Sequence, residues 1–106
     1  AYPEKSSNWT NRFQMFATQN MWTFILLDSY NGRLWQVQYS TQDLDNLFCI
    51  PINKYELVEN NERCIFSIQP LTSMYQYYLI NDNTGDMWKL QWSTKGDDYR
   101  WIERFR

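Results

Sequence analysis

Between Leu34 and Tyr39 the chain alternates strictly. Leu34, Gln36 and Gln38 fall on one side of an extended backbone, and Trp35, Val37 and Tyr39 fall on the other. At a 3.6-residue period the same residues make no apolar stripe, so the pattern predicts a half-buried antiparallel strand. The stretch from Met87 to Ser93 repeats it, with Trp88, Leu90 and Trp92 opposed to Met87, Lys89, Gln91 and Ser93. The segments ahead of these, Met21 to Leu27 and Met74 to Ile80, are apolar or aromatic on both faces, which predicts strands in the middle of a sheet or between layers. Phe13, Met15 and Ala17 alternate before the first pair, and Phe66, Ile68 and Pro70 before the second. Leu47 to Ile52 and Arg100 to Phe105 complete each set. Pro51 cannot donate to a ladder, so it is expected in an edge strand or at a strand end.

Turn chemistry separates the strands. Asp28-Ser29-Tyr30-Asn31-Gly32 lies between two apolar stretches, and Asn-Gly tolerates the positive φ of a tight hairpin. Asn81-Asp82-Asn83-Thr84-Gly85 holds the same place later in the chain. Asp28 could be a metal or substrate ligand, but Asn81 stands in its place in the second hairpin. A shared Asx hydrogen bond to the turn backbone is therefore the better reading.

These elements form an internal repeat. Residues 13–52 and 66–105 align without gaps and share about nine identities in about forty pairs, where chance gives about two or three. Trp35 pairs with Trp88, Gln38 with Gln91, Gly32 with Gly85 and Asp45 with Asp98. The prediction is an all-β chain, an antiparallel meander of about eight strands in two four-stranded blade-like repeats. A single small eight-stranded barrel is the alternative. Residues 1–10 are expected to be a loose arm. Residues 53–62 form a polar linker with room for one short extra strand at Tyr55 to Val58.

The segments Leu26-Leu27-Asp28-Ser29-Tyr30-Asn31-Gly32-Arg33-Leu34-Trp35 and Leu79-Ile80-Asn81-Asp82-Asn83-Thr84-Gly85-Asp86-Met87-Trp88 resemble the hairpin of quinoprotein-type propeller blades. The Gln-aromatic-Ser-Thr ending that follows departs from that family, and no quinone is implied. Over both copies the Gly-x-x-Trp turn and the Gln38-Tyr39-Ser40-Thr41 and Gln91-Trp92-Ser93-Thr94 endings are similar to short bacterial proteins with the same duplicated pattern. That group has no established activity, so the resemblance implies a fold and a bacterial origin but transfers no site.

Composition narrows the chemistry. The 106 residues are enough for one domain with a real core. Aromatic residues make up 19%, about twice the ordinary share, which suits half-buried sheets and interfaces. A formal charge of −2, with the only basic cluster at Arg100, Arg104 and Arg106, argues against a nucleic-acid partner. No apolar run reaches membrane-spanning length. The chain starts at Ala1, which is read as removal of a leader or upstream segment and favours export or a periplasmic location.

The absence of His excludes Ser–His and Cys–His catalysis within one chain and leaves Cys49 and Cys64 without zinc co-ligands. Both cysteines read as buried, unpaired strand positions, with a disulfide as the alternative. No cofactor fingerprint appears. Paired carboxylates, notably Asp43 with Asp45 and Asp97 with Asp98, invite a carboxylate-based hydrolase reading, but the matching loop positions of Asp45 and Asp98 favour hydrogen bonding.

The expected function is therefore non-catalytic binding of a protein or a glycan, through Trp22, Trp35, Tyr75 and Trp88 with the amides Gln38 and Gln91. The structural reading of those rings is core filling, and the row Gln36, Gln38, Lys89 and Gln91 is expected on a solvent-facing side. The alternative role is assembly, in which two-blade chains associate into a closed oligomer.

Overall fold

The computed structural model describes residues 11–39 and 47–106. The anticipated N-terminal arm, Ser40, Thr41 and the Asp43–Asp45 pair lie outside them. Eight strands are present: β1 (Phe13–Ala17), β2 (Thr23–Asp28), β3 (Arg33–Gln38), β4 (Phe48–Asn53), β5 (Phe66–Pro70), β6 (Gln76–Asn81), β7 (Met87–Gln91) and β8 (Trp101–Arg104). They form two separate antiparallel sheets, in the orders β1-β2-β3-β4 and β5-β6-β7-β8. Each copy of the repeat is one meander, and the eight strands do not close into a barrel. Pro51 lies in β4, an edge strand, as its missing donor requires.

The two hairpins share one device. Asp28 Oδ1 accepts from the Tyr30 amide at 3.1 Å, and Asn81 Oδ1 accepts from the Asn83 amide at 2.9 Å. Gly32 and Gly85 close the turns at φ +83° and +79°, donating to the carbonyls of Asp28 and Asn81. The conversion of Asp28 to Asn81 follows from burial. The Asp28 carboxylate is enclosed and held by two hydrogen bonds of 3.0 Å from Arg12, whereas the neutral Asn81 needs no counter-charge.

The linker does not form the extra strand expected at Tyr55 to Val58. It folds over the first hairpin turn, where the Leu57 amide donates to Asn31 O and the Asn61 side chain donates to Tyr30 O. The Leu57 amide is thereby paired with a turn carbonyl and not with a strand ladder. A bulge between β3 and β4 turns both Ile52 and Asn53 inward, and Asn53 Nδ2 donates to Gly32 O at 2.9 Å.

The two sheets stack on each other. Tyr77 of β6 donates its hydroxyl to Ala17 O at the end of β1, at 2.9 Å. At the other edge, β4 lies against β8. Stacking in the same orientation brings the upper face of one copy onto the lower face of the next. The core is accordingly built from unlike faces: Ile25, Leu27, Leu34 and Gln36 from the first sheet, and Tyr77, Leu79, Trp88 and Leu90 from the second. Position for position, Ile25 and Gln36 correspond to Tyr78 and Lys89, which point outward.

This inversion corrects two expectations. The row Gln36, Gln38, Lys89 and Gln91 is not one solvent-facing feature, because Gln36 is fully buried between the sheets. The aromatic positions do not share one fate either. Trp88, Trp92 and Tyr77 are core, while Trp35 is half-buried on the outside.

Candidate binding surfaces

The outward face of the first sheet is apolar across all four strands. Antiparallel register aligns Met15, Leu26, Trp35 and Pro51 in one row, and Ala17, Phe24, Val37 and Cys49 in the next. Met15, Pro51 and Cys49 are exposed; Phe24, Leu26, Trp35 and Val37 are half-buried, with no described layer above them. Rings and cations tie the face together. Phe24 stacks on Tyr39, whose ring meets Trp22 edge-on at 5.4 Å, and the Arg33 guanidinium lies 5.0 Å from the Trp35 ring. Trp22 precedes β2 because Asn20 Oδ1 accepts its amide and caps a turn there.

The outward face of the second sheet is mixed, with Ile80 and Met87 beside Ser67 near the hairpin end. Gln69, Tyr78, Lys89 and Glu103 make one cross-strand row, and Gln76, Gln91 and Trp101 the next. Gln76 donates to the Gln91 side chain at 2.9 Å, and Gln91 donates to Tyr99 O at 3.0 Å. Lys89 opposite Glu103 is a pairing suited to solvent.

The six predicted site residues are therefore dispersed. Trp22 and Trp35 belong to the first outer face. Gln38 lies on the inner-facing side of β3, and the Gln36 side chain donates to it at 3.4 Å. Tyr75 and Gln91 line a small cleft of about 180 Å³ with Trp92, Lys95 and Tyr99, at the far end of the second sheet. Trp88 is enclosed at 8% exposure and cannot act as a contact in the folded chain. Phe24, Leu26 and Val37 were not among the candidates, although they make up the centre of the apolar face. The usable signal was the phase of the charges. Lys89 and Glu103 mark the outside of the second copy, but neither phase of Leu34 to Gln38 carries a charge.

Cys49 and Cys64 are both free thiols. Cys49 is not buried as expected, because β4 is an edge strand and the residue points away from the core. Partial desolvation still raises its thiol pKa above the ordinary value. Among the described residues no cleft is lined by two acidic side chains. The groove between β4 and β8, about 460 Å³, has Asp97 as its one carboxylate, and Arg100 pairs with it. Asp86, at the Arg104 end of the molecule, is likewise held by that arginine at 2.8 Å. Among the described residues no group of three or more acidic or cysteine ligands converges, and no helix is long and apolar enough to cross a membrane.

No family model, curated protein or solved structure matches the chain.

Proposed function

We propose that the chain is a non-catalytic binding module that docks a protein partner on the outer face of its first sheet. The observation that carries this is the pair of adjacent rows from Met15 to Pro51 and from Ala17 to Cys49, eight apolar side chains uninterrupted by a polar one. A contiguous apolar face of this kind on a folded chain is characteristic of an interaction surface, and its central tryptophan is a typical anchor. Glycan recognition fits less well. A sugar needs amide or carboxylate partners interleaved with the stacking ring, and Gln38 and Gln91 lie elsewhere.

The test is selective retention. Immobilised wild-type chain and its Val37→Lys and Tyr78→Lys variants are offered in parallel to free wild-type chain, to a total protein extract and to a glycan array. Protein retained by wild type and Tyr78→Lys but lost by Val37→Lys, with no glycan signal, is the expected result. Retention indifferent to Val37→Lys would sink the reading, and a glycan signal dependent on Trp35 would replace it with sugar recognition.

A further inference from the structure

We infer that the occupant of this face is a second copy of the chain, with the two first sheets packed on each other about a two-fold axis. The inference rests on the binding role proposed for that face and names its partner. Stacking inside one chain already uses one face of each sheet, leaving, among the described residues, two outward faces of different character. One carries Leu26, Trp35, Phe24 and Val37; the other is mixed, with Ile80, Met87 and Trp101 but also Lys89 opposite Glu103, beside hydrogen-bonded Gln76 and Gln91.

Two associations are geometrically available. Head-to-tail stacking would continue the internal arrangement and set the apolar face of one copy on the Lys89–Glu103 row of the next. That would strip both charges of water over a hydrocarbon surface, and the contact would propagate into a ring or filament. A two-fold axis instead matches apolar rows with apolar rows. It leaves the Lys89–Glu103 rows outermost, hydrated at each end of a four-layer stack.

The repeat shows the same division. Where the first copy has Ile25, Gln36 and Ile50 in its enclosed phase, the second has Tyr78, Lys89 and Glu103, so the second sheet's free face carries two charges where the first copy has none. At the other phase the first copy has Leu26, Trp35 and Val37 where the second has the core residues Leu79, Trp88 and Leu90. The free face of the first sheet thus keeps the chemistry that its counterpart uses in the core.

The size of the face sets the strength. Four strands at about 4.8 Å spacing and about five residues at about 3.3 Å make a flat footprint of roughly 300 Å² per copy. Even with side-chain relief and a rim, this stays below the roughly 800 Å² per partner of a standard specific interface, so the association is weak and the dimer is expected only toward the upper end of the micromolar range.

The experiment is analytical ultracentrifugation of the intact chain from about 1 µM to several hundred µM, spanning the association range for such an interface. The expected result is a monomer that converts to a dimer with rising concentration. Val37→Lys should weaken association by more than about a hundredfold, because each dimer receives the charge twice. Tyr78→Lys, on the other free face, should leave it unchanged. Far-UV circular dichroism checks that both variants fold. A second readout needs no variant: alkylation of Cys49, followed by mass spectrometry, should slow as concentration rises and the face closes.

A monomer throughout, or a Cys49 alkylation rate indifferent to concentration, overturns the inference. So does association that is lost in Tyr78→Lys or that proceeds beyond the dimer, since either means head-to-tail contact. A monomer that still retains protein through Val37 leaves the binding role standing and removes only the second copy. A monomer without such retention removes both.

Discussion

The side-chain oxygen of Gln36 accepts a hydrogen bond from the Ser93 amide at 3.1 Å, across the space between the two sheets. Gln36 has no exposure to water, and its amide nitrogen is occupied by Gln38. A buried amide of this kind is tolerated because both ends are satisfied. Gln36→Ala leaves the Ser93 donor orphaned and should cost about 1–3 kcal/mol in urea denaturation. Gln36→Lys, the residue of the second copy at this place, should be worse, because it encloses an unpaired charge.

Trp35 and Trp88 are equivalent in the repeat and opposite in fate. Trp88→Ala should cost about 3–5 kcal/mol, since it empties an enclosed site beneath Phe66. Trp35→Ala, on the open face, should cost under about 2 kcal/mol in the monomer. Thermal melts of the two variants at low concentration check the contrast; equal losses would contradict the assignment of faces.

The Arg12–Asp28 pair makes a prediction in the form of a rescue. Arg12→Ala leaves an enclosed carboxylate without its counter-charge and should destabilise the fold. Asp28→Asn in that background should recover most of the loss, because it installs the neutral Asx turn that Asn81 already demonstrates. A double-mutant cycle on chemical denaturation midpoints measures the coupling.

Gly32 and Gly85 have similar φ but different surroundings. A Cβ on Gly32 would come within 2.7 Å of Leu57 Cδ1, whereas one on Gly85 meets nothing within 4 Å. Alanine at either site pays about 1–2 kcal/mol for the left-handed backbone. Gly32→Ala should lose more, by displacing the linker, and faster amide exchange at Leu57 would report it directly.

Stability should decline on the alkaline side. Desolvation raises the pKa of both the Cys49 thiol and the Tyr77 hydroxyl. The folded chain therefore holds these protons more tightly than the unfolded chain does. Their contribution is fully present below the ordinary thiol and phenol pKa values, and is lost as pH rises through the higher folded values. Denaturation midpoints between neutral pH and pH about 11 should fall. Cys49→Ser should flatten the first part of the decline and Tyr77→Phe the later part.

The strands, hairpins and duplication were legible because each is written locally. Period-two alternation, an Asx residue and a glycine suffice for Asp28 to Gly32, and again for Asn81 to Gly85. Which face is enclosed was not legible, because it depends on how the copies meet. Trp35 and Trp88 have the same flanking pattern, and only stacking in one orientation sends the first outward and the second inward. The linker misled for a related reason. Leu57 and Val58 suggest a strand by composition, but their partner is a turn rather than an edge.

Meeting through unlike faces also gives the molecule a polarity of growth. A further unit built on the same plan would seat readily on the Trp35 side, which offers what the existing joint already uses. On the Lys89 side it would first have to lose two charges. A designer extending this scaffold would add before β1, not after β8, and could convert the closed end into a second growing end by restoring Gln at position 89 and Ile at position 103.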